Sequence, residues 1–463
     1  MRLADNDSRD DTDGMKPLVL QIVEQNASLL QRIDELLAQN KALLARVAEL
    51  EAKLGAPPKT PDNSSLPPSK GQKTNAPDTA SKKRGRKGRA GVTRALCANP
   101  DVTHDIYAKK CACGAKLSET DQPEVFTYDH VDLPPIKPVT TRINLHKGHC
   151  PCCNKRVVAA APADMPPGSP FGSGIVSLVT YLHACQFVSY NRLVEMLGGL
   201  FGLTLSEGAI ANMLARAKVP FAARAAEIAA VVRNSPIIAS DETGARVMGI
   251  TFWQWVFSTA TAVYHVIAPT RGKCVPTTFL GDAKPDVWLP DRYAGQGKLA
   301  DAHQYCLAHL LREAQYAVDA GDCIFAPAFK AFLKDACAVG RRRPGLADET
   351  IKGHARRLKR ELDRVLELEP RQANGRHLRD AMSVGARDKL LVFLTRRDIE
   401  PTNNESERAL RPSVIFRKVT NGFRSVWGAE VYADICSVVA TCKRKGQSAL
   451  AAIRDALSGT AAA

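Results

Sequence analysis

Residues 15–54 place an apolar residue every 3.5 positions on average, and a helix built that way needs a partner to cover its seam. The d positions are Met15, Ile22, Leu29, Leu36, Leu43 and Leu50, and the a positions are Val19, Asn26, Ile33, Asn40, Val47 and Leu54. Asn26 and Asn40 at a are the registry device of a parallel dimer. Leu30, Leu37 and Leu44 widen the stripe at e, so a higher oligomer, or docking on another partner, satisfies the pattern too. A single amphipathic helix on a globular core is the alternative. The expectation is a homo-oligomer, at least a dimer, joined through residues 1–55.

From Gly55 to about Pro100 the chain turns rich in Pro, Ser, Asn and Thr and can bury little, so it reads as a flexible linker. The linker ends in KKRGRKGR, whose Lys82, Lys83, Arg84, Arg86, Lys87 and Arg89 suit the phosphates of double-stranded DNA. The whole chain carries a formal charge of +16, which favours a polyanionic partner. An anionic membrane is the rival. Its best candidate, the apolar stretch 174–188, is shorter than the ~20 residues a span needs and includes His183 and Gln186. The acidic, polar start MRLADNDSRDDTDG has no apolar leader, and 13 cysteines, several of them single in apolar segments, suit a reducing compartment. A cytoplasmic, nucleoid-associated protein with no membrane contact is expected.

Five of those cysteines form two knuckles, KKCACGAKL and GHCPCCNKR. Cys111, Cys113, Cys150 and Cys153 are the candidate ligands of one structural Zn²⁺, with Cys152 or His149 as substitutes. Four saturated ligands would leave no open position for catalysis. Unliganded thiols are the other reading, because the first knuckle is C-x-C instead of C-x-x-C. Further on, SYNRLVEMLGGLFG and LTLSEGAIANMLARAK read as helix, Gly-containing turn and helix capped by Ser206, a helix-turn-helix or a plain helical hairpin.

From residue 235 the period changes to that of strands. SPIIASDETGARV, FWQWVFSTA and TAVYHVIAP predict an antiparallel meander, followed by a helix near 272–280. DVWLPDRYAG gives a short strand ending near Asp291, and DAHQYCLAHLLREAQYAV a strand running into a long helix. This order is that of a ribonuclease-H-like fold, whose first and fourth strands end side by side and so would bring Asp241 and Asp291 together. Paired carboxylates repel unless a cation lies between them, and hard oxygens suit Mg²⁺ or Mn²⁺. Two such ions about 4 Å apart serve phosphodiester chemistry. A third acid would come from PTNNESERALRP, where Thr402, Asn403 and Asn404 cap a helix bearing Glu407. Asp301 rivals Asp291 but precedes a strand. Glu405 lies about 160° from Glu407 around a helix, and Glu242 faces away from Asp241 if the strand continues. In isolation, Glu407 and Arg411 are also an ordinary i,i+4 pair.

NSSLPPS, the cysteine knuckles, ASDETGARV, LPDRYAGQ, CLAHLLRE and NNESERALRPSVIFRK together resemble the insertion-sequence 66 family of bacterial DDE transposases over nearly the whole chain. The resemblance implies Asp241, Asp291 and Glu407 as the catalytic, metal-binding acids, and small accessory proteins of the same element as partners. It also takes in Cys306 and His309, whose role is open between packing, a polar contact beside the site and a metal. Arg408, Arg411, Arg417 and Lys418 are the DNA contacts expected near the acids.

The expected fold is thus multidomain, α plus α/β. It runs from a coiled coil (1–55) and basic linker (56–100) through a zinc-binding module (101–165) to a helical, helix-turn-helix-like region (166–230). A ribonuclease-H-like core (231–428), with a helical insertion at about 323–396, and C-terminal helices (429–463) complete it. The expected activity is cleavage of DNA at terminal repeats and strand transfer. A catalytically inactive DNA-binding scaffold or repressor, and a structure-specific nuclease, are the rivals.

Overall fold

The computed structural model describes residues 21, 24–43, 56–64 and 94–459. The basic arm at 82–89 and the outer heptads of 15–54 lie outside them. Backbone contacts divide the chain into two compact units. Unit one comprises Met1–Gln72, Ser235–Asp241 and Pro276–Ser406, and unit two Lys73–Asn234, Glu242–Val275 and Glu407–Ala463.

Helix α1 spans 24–43, and its Leu29, Ile33, Leu36 and Leu43 are each more than half exposed, so the stripe at this heptad face is uncovered. Residues 56–64, expected as linker, are held in place. Asn63, 4 % exposed, accepts the Thr60 N–H (2.7 Å) and donates from Nδ2 to the Pro58 carbonyl (3.1 Å) and to Asp319 Oδ2 (2.8 Å).

Two short strands, β1 (Lys147–His149) and β2 (Arg156–Val158), pair antiparallel around the second cysteine knuckle. Helices α2 (Ser173–Gln186), α3 (Tyr190–Phe201) and α4 (Glu207–Arg233) follow. Gly202 closes α3 in the left-handed region (φ 66°), and Ser206 Oγ accepts the Ala209 N–H to start α4. Val179, Leu193, Leu197, Ile210 and Met213 bury the inner faces of these three helices.

Strands β3 (Ile237–Val247), β4 (Ile250–Ser258) and β5 (Val263–Ala268) form the meander expected from 235. Helix α5 (Cys274–Leu280), β6 (Val287–Leu289) and β7 (Ala302–His303) follow, and the five strands lie in the order β5-β4-β3-β6-β7. β6 pairs parallel with β3 and with β7, and β4 antiparallel with β5, a mixed sheet. Helix α6 (Leu307–Asp319) leads into α7 (Phe325–Arg342), α8 (Asp348–Leu366) and α9 (Ala373–Ser383). Phe325, Phe329 and Phe332 recur at i, i+4 and i+7 on α7, stack on one another and form the centre of the unit-one core.

Helix α10 (Asn404–Thr420) carries Glu407 on its first turn, and α11 (Val426–Arg444) and α12 (Ala449–Ser458) complete unit two. Ser437 and Thr441, one turn apart on α11, accept the N–H groups of His265 (2.8 Å) and Val263 (3.0 Å) with their hydroxyls. A helical i,i+4 step rises ~6 Å and two strand residues ~6.8 Å, so a helix can satisfy a strand edge this way. Among the described residues no helix is long and apolar enough to cross a membrane.

After α10 the chain turns through Asn421 (φ 59°) and Gly422 (φ 105°), and Phe423 pairs with the end of β3. A Cβ at Gly422 would lie 2.5 Å from the Arg246 carbonyl oxygen. Strained φ and overpacking each cost about 1–3 kcal/mol, so Gly422→Ala is expected to lower stability by about 3 kcal/mol, read by urea unfolding.

Candidate active site

The register of β3 and β6 sets the first two acids. Ala239 pairs with Leu289, and Asp241 and Asp291 each follow two residues later, where the parallel pair has ended. Asp241 is 9 % exposed at this edge. Asp291 Oδ1 accepts the Tyr293 N–H (2.9 Å), which folds the chain after β6 back on itself. Below it Arg292 binds Glu313 at 2.6 Å. Burial pushes the Glu313 carboxyl up; Arg292 draws it back down, and the charge of Asp291 adds to the rise.

Asp241, Glu242 and Asp291 offer carboxylate oxygens that all lie within 4.8 Å of one another. This corrects the expectation that Glu242 turns away. Pleating does put neighbouring Cβ atoms on opposite faces, but Glu242 has a longer side chain and its carboxylate is held by Arg271 (2.6 Å). Arg271 in turn lies over the Trp253 ring, 4.9 Å from its centroid. Three hard anionic donors at this spacing fit a divalent cation taken by oxygen ligands.

Glu407, the third expected acid, is half-buried on α10 and is not one of that group. The chain just before it is nevertheless pinned within unit one. Asn403, 2 % exposed, donates from Nδ2 to the Ser240 carbonyl (2.7 Å), and Leu307 N–H donates to the Pro401 carbonyl (3.0 Å). Ser240 also donates from its hydroxyl to Gln296 Oε1, which accepts the Trp288 indole N–H (3.0 Å). Ser406, Leu410, Ser413 and Phe416 form the buried stripe of α10, which leaves Arg408, Arg411 and Lys418 exposed. Arg417 passes close to Gly244 of β3, where a Cβ would stand 3.3 Å from its Nη1.

The cysteine knuckles are each preformed. Cys111 N–H donates to the Ala115 carbonyl and Gly114 N–H to the Cys111 carbonyl, both at 2.9 Å, with Gly114 at φ 90°. In the second, Asn154 (φ 53°) donates to the Cys150 carbonyl (2.9 Å). Backbone N–H groups lower two thiols, that of Cys113 acting on Cys111 and those of Cys153 and Cys152 on Cys150. Thiolate-directed N–H groups suit metal ligation. Among the described residues no three of these sulfurs lie within 4.8 Å of one another.

The sequence marked the Asn403 neighbourhood only as a helix cap, and it gave no sign of Arg271 or Gln296. Their partners lie 29 and 56 residues away in the chain.

The model of one protein family, described as the transposase IS66 family, matches residues 168–431, more than half of the chain. The match contains Asp241, Asp291 and Glu407. No curated protein matches the chain.

Proposed function

Since the chain belongs to the IS66 family of transposases, we propose that it is a DDE-type enzyme that binds the terminal repeats of its element, cuts DNA there and joins the 3′ ends to a target. The observation that carries this reading is the convergence of Asp241, inside β3, and Asp291, just past β6, where the parallel pairing of the two strands stops. The strand order β5-β4-β3-β6-β7, with an antiparallel meander beside parallel strands, supports a ribonuclease-H-like core. The helices α7–α9 are read as its insertion.

In this reading Asp241, Asp291 and Glu407 hold two Mg²⁺ or Mn²⁺ ions. When bound, such ions supply the positive charge that activates a water or 3′-hydroxyl and neutralises the leaving oxygen. The protein's own contribution is rigidity: β3 and β6 fix two carboxylates at one edge, and the pinned start of α10 delivers the third. Arg271 neutralises Glu242, which leaves the site less anionic. Arg408, Arg411, Arg417 and Lys418 meet DNA phosphates beside the acids, and the basic arm at 82–89 tracks the duplex further out. Cys111, Cys113, Cys150 and Cys153 would hold a structural Zn²⁺ joining the two knuckles. Oligomerisation through α1 places two element ends in one assembly, with accessory proteins of the element as further partners.

Strand transfer in vitro tests the reading. Wild-type protein, given labelled element-end DNA with Mg²⁺ or Mn²⁺, is expected to join it to a target, and Glu407→Gln protein to bind the ends without joining. End binding without joining by the wild type would favour the scaffold. Equal joining by both proteins would remove Glu407 from the site.

A further inference from the structure

Three hydrogen bonds, all within unit one, connect the segments that bear the acids. The Asn403 side chain donates from Nδ2 to the carbonyl of Ser240, the residue before Asp241 (2.7 Å). Its backbone N–H donates to Cys306 Sγ (3.1 Å). The Cys306 N–H donates in turn to the carbonyl of Pro290, the residue before Asp291 (3.1 Å). Asn403 is also four residues from Glu407, immediately ahead of α10. Both side chains are shut off from water, at 2 % and 1 % exposure.

We propose that Asn403 and Cys306 form a clasp that positions the metal-binding carboxylates: the spacing of Asp241 and Asp291, and with it their affinity for a divalent cation, depends on this chain of bonds. The inference rests on the reading of those acids as metal ligands. Neither clasp residue is assigned a contact with substrate or ion, so both are positioning residues.

The chemistry of the two residues fits the task. Ser240 lies past the last β3–β6 pair, Ala239 with Leu289, and its carbonyl is served by the Asn403 side chain. The Cys306 N–H serves the Pro290 carbonyl in step with Ala302 on Asp286 and Gln304 on Trp288. Buried carbonyls and N–H groups need partners. Asn supplies a side-chain donor for one carbonyl while its backbone uses a sulfur acceptor, and Cys offers its own N–H to the other. Asn403 Oδ1 has no hydrogen-bond partner among the described residues, so the amide is oriented by its donor end. Asp at 403 would keep the shape, lose the donor and set a carboxylate against the Ser240 carbonyl. Cys306 thereby becomes a polar contact behind the site, one of the three roles its sequence left open.

The test is Mn²⁺ binding to the full chain, followed by electron paramagnetic resonance of the free ion, with unfolding temperature measured alongside. Loss of residues that orient metal ligands typically weakens affinity about 10–100-fold. Asn403→Asp and Cys306→Ala are expected to weaken Mn²⁺ binding at least about tenfold, and Cys306→Ser, which keeps an acceptor, by less than about threefold. Asp322→Ala is the control. Asp322 is a buried acid that accepts the Ala326 and Ile324 N–H groups at the start of α7, so its loss should lower the unfolding temperature and leave Mn²⁺ binding unchanged. If Asp241→Asn abolishes binding while Asn403→Asp and Cys306→Ala bind as the wild type does, the clasp is refuted and the site survives. If Asp241→Asn itself binds as the wild type does, both fall. Should Asn403→Asp not fold, the contrast of Cys306→Ala with Cys306→Ser decides: equal, wild-type binding by both overturns the clasp.

Discussion

Asp241→Asn protein is expected to bind element-end DNA as the wild type does and to join it at least about 10³-fold more slowly. The amide keeps the volume and one oxygen but removes the charge that holds a divalent cation. The neighbouring Glu242 gives the experiment its sharper half. Its carboxylate is as close to Asp291 as metal ligation requires, yet it is already engaged by Arg271. If Glu407 is the third ligand, Glu242→Gln should join DNA within about tenfold of wild type, its loss confined to an ion pair whose arginine is part-exposed. The reverse ranking, with Glu242→Gln inactive and Glu407→Gln active, would make the acidic cluster at the sheet edge the complete metal site. Parallel strand-transfer and end-binding assays on the four proteins separate these outcomes.

The largest effect on stability is expected at Arg343. Its side chain is 2 % exposed and donates to the carbonyls of Phe393, Arg396 (3.1 Å), Ile399 (2.5 Å) and Arg397 (2.8 Å), with Glu400 at 3.5 Å. Burial lowers the affinity of the guanidinium for its proton, and the charge of Glu400 works against that fall. One side chain therefore organises the loop 393–400, which runs directly into Pro401, Asn403 and α10. Arg343→Met would leave several buried carbonyls without donors, at about 1–3 kcal/mol for each such group. A net loss of about 4 kcal/mol is expected on urea unfolding, with Arg343→Lys intermediate because an ammonium cannot reach in a fork. A loss under about 1 kcal/mol would show that the loop holds itself.

Much of this site is legible in the order of residues. The strand pattern from 235 and the apolar run before Asp291 place both acids at strand ends. The register of Ala239 with Leu289 ends the pairing just before them, but β3 itself runs on past Asp241 to Val247. The Asn-rich start of α10 reads as a cap for the physical reason that makes it useful in the fold: short amides bind stray backbone groups. What is not legible depends on reach and distance. Alternation fixes where a Cβ points but not where a glutamate bends, so the approach of Glu242 is invisible without Arg271. Asn63 looks like linker by composition, and only Asp319, 256 residues on, shows that it is docked. The cysteine knuckles are legible one at a time, because each is a local turn. Closing them on one ion would be a long-range event that local turn chemistry does not specify.

The hydroxyls of Ser437 and Thr441 have a consequence for association. An unpaired strand edge is an invitation to a neighbouring chain, and sheets that offer one can grow by recruiting copies without limit. Here the outermost strand of the meander has its N–H groups at 263 and 265 taken by a helix of the same unit, and the strand at the other margin, β7, is two residues long. Among the described residues neither margin offers a template of useful length. Within those residues, then, the sheet stops inside one chain and offers no ribbon for a second copy to extend.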